Sequence, residues 1–278
     1  MHSSALTIKS WFTYDLPEVS SRVAPWILSA WLCGVLTLVM LGFSVIDERT
    51  LYGVSVWTKP FKFYMSLSVY FATIVWFARY IPSGYFEGLP GRTLIVLPVL
   101  MSVVEMTYIT YQASLGEASH FNTGNAFNAA MYSIMGFGAV VLVSVLAWIA
   151  WLVARFQCMD NPMALSIVIG LVLTFALGGG FGGYLGGQAG HWVGGTANDA
   201  NGLMLFKWSR DGGDLRVAHF FGMHAMQAVP LFTLLLARIG SSLSAHTQIA
   251  CTLAFACAYA AFTSITFWQA VQGIPFIS

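Results

Sequence analysis

Apolar residues fill seven long blocks of the chain, each closed by polar or charged residues, over 25–46, 60–81, 93–115, 126–155, 162–187, 216–238 and 247–270. A helix needs about 20 mainly apolar residues to cross a hydrocarbon layer about 30 Å thick, and every block reaches that length. The charged run Asp47-Glu48-Arg49 follows the first block and Arg155 closes the fourth, as expected where helices meet the headgroups. A membrane β-barrel would show strands of about ten residues with alternating polarity, and these blocks do not alternate. The expected fold is an all-α integral membrane protein: one bundle of seven transmembrane helices over 25–278 with a polar cavity near one membrane face. Residues 1–24 carry Asp15, Pro17, Glu18 and Arg22 beside Trp11 and Phe12 and lack the compact apolar stretch of a secretory signal. They read as an N-terminal interfacial tail.

Composition agrees with this reading. Of 278 residues, 58% are hydrophobic and 8% charged, against roughly 25% charged in a soluble domain. A soluble enzyme and a disordered scaffold are thereby excluded, and a net charge of +1 supplies no field for nucleic acid. Cys33, Cys158, Cys251 and Cys257 are scattered without a CxxC pair, so neither a disulfide framework nor a thiolate metal site is indicated. With the N-terminus inside, Lys9, Arg22, Arg79, Arg92, Arg155 and Arg238 face the cytoplasm and Arg49, Lys59, Lys62, Lys207, Arg210 and Arg216 lie outside. This even division leaves the positive-inside rule without a decisive excess. A bacterial inner membrane with the N-terminus inside is the expected placement.

The polar residues gather at one face. Seven spans put the first, third and fifth loops and the C-terminus on one side, here the site face. It receives Lys59, Lys62, Gln112, Ser119, His120, Asn122, Asn125, Asn128, His191, Asp199, Asp214, Arg216, His219 and His224. Residues three, four and seven apart share a helix side. By that spacing Lys59, Lys62, Ser66 and Thr73 form one stripe with Tyr70 close by, Glu105, Tyr108 and Gln112 a second, and Asn125, Asn128 and Tyr132 a third. Such stripes line a cavity or tie helices together by hydrogen bonds. Glu105 falls near mid-membrane, where a carboxyl must be protonated or paired; Lys62 and Arg216 are the expected partners.

The fifth span contains LGGGFGGYLGGQAGHWVGG over 177–195, with Gly178, Gly182, Gly186 and Gly190 every four residues and Gly179, Gly183 and Gly187 beside them. In a continuous helix this is a bare ridge about 18 Å long, suited to close helix packing or to a flat cofactor. Alternatively the helix unwinds near Gly186, as in transport proteins. A long loop at 188–215 is expected to cap the cavity. Asp214 suits the N-cap of the sixth span. Arg216, His219 and Met223 then lie on one side of that helix and Phe220, His224 and Gln227 on another, with Pro230 inviting a kink.

Imidazole suits zinc, copper and iron. The candidate metal ligands are His120, His191, His219 and His224, joined by Glu105 or Asp199 in a multi-ligand site. Haem needs only one or two axial ligands, small residues and apolar walls, and Gly182, Gly186 and Gln227 are candidate cofactor contacts. The expected function is a membrane-bound redox enzyme or cofactor protein acting on a lipophilic or anionic small molecule. Glu105 and Gln112 would serve as a polar relay, while Lys59, Lys62 and Arg216 attract an anionic group. A transporter or channel for a small polar or anionic solute is the alternative. A cofactor-free subunit or assembly factor is a third reading, with a homo-oligomer or membrane complex as partner. No nucleophile elbow, P-loop or dinucleotide fingerprint is present.

Overall fold

A computed structural model describes residues 16–240 and 242–278, with side chains from Val19 onward. The tail expected over 1–24 lies outside the described residues as far as 15. From there the chain forms a short helix α1 (Leu16–Arg22) and seven helices long and apolar enough to span a membrane. These are α2 (Ala24–Ile46), α3 (Thr58–Ala78), α4 (Leu89–Leu115), α5 (Ala126–Phe156), the composite α6–α7, α8 (Leu215–Ile239) and α9 (Ala245–Val271). The composite runs as α6 (Pro162–Leu173), one π-helical turn (Thr174–Gly178) and α7 (Gly179–Gly186). Two small hairpins, β1 (Thr50–Leu51) with β2 (Val54–Ser55) and β3 (Trp192–Val193) with β4 (Gly213–Asp214), lie in the first and fifth loops. The chain is an all-α seven-helix membrane bundle.

Helix ends obey local chemistry. Asn125, Asn161, Asp214 and Ser244 each cap a span by accepting a backbone N–H through the side chain, satisfying donors that a helix start leaves unpaired. The outermost helix α2 buries only Trp26, Cys33 and Met40. It leaves Trp31 73%, Leu38 68% and Val45 77% exposed, a surface that only lipid tolerates. It is pinned to the bundle by Trp26 Nε1 donating to the Ile95 carbonyl and by Ser68 Oγ donating to that of Ala30.

Helix α8 packs against α6, the π turn, α7 and α9. Its approach to the composite helix is set by missing side chains. A Cβ on Gly222 would lie 2.6 Å from the Gly178 nitrogen, and one on Gly170 would lie 2.9 Å from the Ala225 carbonyl. Between them Thr174 Oγ1 accepts the Met226 N–H at 2.8 Å and donates to the Gly170 carbonyl at 2.9 Å. Gly170, Thr174, Gly178 and Gly182 therefore all face α8 at four-residue steps. In a regular helix such a row drifts about 40° per step. The π turn takes in one extra residue and offsets most of that drift. The irregularity is thus at Thr174–Gly178 and not at Gly186, where the sequence suggested unwinding: α7 stays helical through Gly186 and ends there. Helix α8 continues through Pro230, whose ring rests against the bare backbone of Gly170.

Candidate functional site

The fifth loop folds back over the helix ends through its own backbone and through two carboxylates. The β3–β4 ladder pairs Trp192 with Asp214, which brings His191 beside the start of α8, and Leu215 N–H donates to the His191 carbonyl. Asp214 caps α8 by accepting from Arg216 N–H at 3.0 Å and also takes the Arg216 guanidinium, with Nη2 at 2.6 Å. The other edge of that guanidinium holds Asp199 at 3.0 and 2.9 Å, and Nη2 donates to the Lys207 carbonyl. Asp199 Oδ1 further accepts from His191 Nε2 at 3.4 Å. A carboxylate accepts only, so Nε2 carries the hydrogen. Burial acts to raise the pKa of Asp199, but the His191 and Arg216 hydrogen bonds prevail and hold it at about 2. Burial lowers that of His191 in spite of the Asp199 bond. His191 is therefore neutral at neutral pH, with a lone pair on Nδ1.

Two further cations line the same roof. Lys62 Nζ donates to the Phe206 carbonyl at 2.9 Å, and Lys59 Nζ stands over the Phe63 ring at 5.9 Å. Phe206 stacks on Trp208 and meets Phe220 of α8. His120 contacts Ser119 Oγ through Nδ1 and sits among Phe63, Phe121 and Tyr132. Burial, then the nearby Lys59 charge, hold its pKa well below the usual histidine range. Tyr52, Phe121 and Lys207 adopt positive φ of 52°, 58° and 59°. They lie in the first, third and fifth loops respectively, and a left-handed backbone at a bulky residue persists only where its surroundings enforce it.

Below the roof, polar contacts tie the helices. Gln112 Nε2 donates to Tyr108 Oη at 2.7 Å and to Asn128 Oδ1 at 3.1 Å, and Tyr108 Oη donates to the same Asn128 oxygen. Tyr132 Oη donates to the Gly186 carbonyl. Gln227 Nε2 donates to Thr73 Oγ1, linking α8 to α3.

The α8 histidines are fixed by their Nδ1 atoms. His219 Nδ1 lies 2.9 Å from the Gly178 carbonyl, which can only accept, so Nδ1 carries the hydrogen. Gln227 spends its amide hydrogen on Thr73, which turns Oε1 towards His224 Nδ1 at 3.2 Å, and this Nδ1 too is the donor. In each neutral ring the lone pair is then on Nε2. His219 occupies space that Gly182 leaves open: a Cβ there would lie 2.7 Å from its Cε1.

The sequence-derived candidates thus fall into separate groups. Lys62, Arg216, His191 and Asp199 are joined through the loop; Gln112 belongs to the α4–α5 network; Gly182 seats His219; Gln227 orients His224; Gly186 receives Tyr132. Ser66, placed in the α3 stripe, is exposed. Lys62 and Arg216 do not pair with Glu105, because Arg216 is held by two aspartates and Lys62 by the Phe206 carbonyl. The multi-ligand metal set of His120, His191 and an α8 histidine with Glu105 or Asp199 is not assembled: among the described residues no three His, Cys, Asp or Glu side chains converge. The glycine ridge is occupied by α8 at Gly178 and by His219 at Gly182, so there it works as a helix-packing surface. Sequence reasoning missed the Asp47–Arg49–Trp57 cluster, in which Arg49 and Trp57 Nε1 donate to Asp47 and Arg49 reaches the Ser114 carbonyl. The only sequence signal for it was an acidic and a basic residue two apart at a helix end. Comparison with protein-family models, curated proteins and solved structures finds no match.

Proposed function

We propose that the chain is a membrane-bound redox or cofactor protein in which His219 or His224 would hold a haem or similar metal-centred group, serving a lipophilic or anionic small molecule. The carrying observation is the state of the two α8 rings. Each has its Nδ1 hydrogen committed to an acceptor, Gly178 O or Gln227 Oε1, which leaves Nε2 as a ligand atom and fixes ring orientation in the manner of outer-shell bonds to metal-bound histidines. Since no three ligating side chains converge among the described residues, His219 or His224 would serve a group that carries its own further donor atoms, as haem does, rather than a metal held by protein side chains alone. When bound, it would supply one-electron chemistry.

The other residues take roles that follow from their surroundings. Lys59 and Lys62 attract an anionic group to the site face, while Arg216 holds the loop through Asp199 and Asp214. His191, neutral with a lone pair on Nδ1, is the proton carrier, whereas burial and the Lys59 charge keep His120 uncharged. A bacterial inner membrane with the N-terminus inside is part of the proposal.

The test is the absorption spectrum and metal content of the purified full chain expressed with adequate iron and haem precursor. A haem band or a stoichiometric transition metal is expected, with loss of the group in His219→Ala or His224→Ala. A colourless, metal-free wild-type protein, or full retention in both variants, overturns the proposal.

A further inference from the structure

Glu105 is buried in α4 with 7% of its surface exposed, and Ser102, one turn away on the same helix face, with 5%. Glu105 Oε1 and Ser102 Oγ have no hydrogen-bond partner. The carboxyl is seated against the bare backbone of α5: a Cβ on Gly138 would lie 2.7 Å from Oε1. A carboxylate in such a place has neither counter-charge nor donor, and its desolvation is far costlier than that of the neutral acid.

The groups around it offer no compensation. Helix α4 packs on α5, α3, α2 and the 3-10 turn at 83–87. On α3 the titratable groups are Tyr64, which shares a hydrogen with Thr110, and Tyr70, which donates to the Leu142 carbonyl, with Lys59 and Lys62 at the site-face end. Helix α5 has Tyr132 towards the site face and Arg155 at the far end, α2 has Cys33, and the 3-10 turn has Tyr85 and Glu87. On α4 itself are Arg92, Tyr108 and Tyr111. Among the described residues none of these is ion-paired with Glu105.

Access to this carboxyl is lopsided. Towards the far membrane face, beyond Ser102, whose buried hydroxyl bonds to nothing, α4 carries Leu94-Ile95-Val96-Leu97-Pro98-Val99-Leu100-Met101, eight apolar residues in succession. Towards the site face the same side of the helix carries Tyr108 and Gln112, hydrogen-bonded to each other and to Asn128. We propose that Glu105 is a proton-binding site at mid-membrane, holding its proton as a neutral carboxylic acid at neutral pH. The proton is exchanged with water at the site face alone, past Tyr108, Gln112 and Asn128. On release the carboxylic acid becomes a carboxylate, and the proton passes to water on that side. The inference stands whether or not a cofactor binds α8.

Infrared spectroscopy and dicyclohexylcarbodiimide labelling of the full chain in lipid nanodiscs test it. Wild type should show a protonated-carboxyl C=O band at neutral pH that Glu105→Gln lacks. The carbodiimide, which enters from the apolar phase and reacts with protonated carboxyls, should label Glu105 by peptide mass spectrometry, with labelling falling as pH rises. Gln112→Leu should keep the band but slow its hydrogen–deuterium shift. Absent or pH-independent labelling of wild-type Glu105 overturns the proposal even if Glu105→Gln does not fold. A band that persists in a folded Glu105→Gln also overturns it. Unchanged exchange in Gln112→Leu overturns the assigned route.

Discussion

Arg216 shows how one side chain fixes a loop of nearly thirty residues. Its guanidinium binds Asp214 in its own cap and Asp199 across the loop, and carboxylates read such a fork with both oxygens. Removing one member of a buried ion pair typically costs about 3–5 kcal/mol, so Asp199→Asn should lower stability by about 3 kcal/mol, seen as a lower unfolding temperature in detergent. The pH dependence has a definite sign. The Asp199 carboxyl is held at about 2, below its ordinary 3.8, so its stabilisation is complete above the ordinary value and fades as pH falls from there towards 2. Unfolding temperatures across that window should drop less in Asp199→Asn than in wild type; an equal drop would refute this role. The cap at Asp214 was legible because an acid stood directly before a helical pattern. The pairing of Arg216 with Asp199 was not, since the two stand 17 residues apart and only the folded loop brings them together. Nor was the acceptor of Lys62 readable, because a backbone carbonyl such as that of Phe206 has no side-chain signature. For Glu105, charge suggested partners that Asp199, Asp214 and the Phe206 carbonyl then claimed.

Among the elements, the composite helix and α8 form the least forgiving contact. The two faces carry Gly178 and Gly222 backbone to backbone, while Gly182 seats the His219 ring. Gly182→Ala should therefore displace His219 from the Gly178 carbonyl and cost about 1–3 kcal/mol through overpacking. Gly183→Ala, whose Cβ meets nothing within 4 Å, should be neutral or slightly stabilising, because alanine favours the helix by up to about 1 kcal/mol. Thermal unfolding of the two variants distinguishes this arrangement from one in which all the glycines act alike. The four-residue glycine spacing announced close packing, and the span limits were legible to within about four residues because a lipid-facing run must end where polar headgroups begin. What α8 would place on the ridge was not legible, since the partner of a small residue is chosen in three dimensions.

For the whole molecule, the loops at 47–57, 116–125 and 187–214 meet at one end, as Asp199 N–H donating to the Tyr52 carbonyl and the Phe121 ring 6.4 Å from that of His191 make plain. Exposed Cys158 marks the other end, between α5 and α6. Under the proposed orientation, a membrane-impermeant thiol reagent should reach Cys158 only from the cytoplasmic side, and an Asn198→Cys substitution in a Cys158→Ser background only from the other. Labelling in the reverse sense would invert the molecule without altering its fold. The π turn has a consequence for the whole bundle. It stores one residue of slack in a chain where helix length is otherwise fixed by the bilayer. Deleting Ala176 from that turn should convert it to regular α-helix while leaving Gly170 and Gly182 both turned to α8, since three regular turns take about eleven residues. The same deletion in regular α9, at Cys257 for example, would rotate everything beyond it by about 100°. The first deletion variant is therefore expected to elute as a single folded species and the second to aggregate, so at this turn the chain can lose a residue and still close its core.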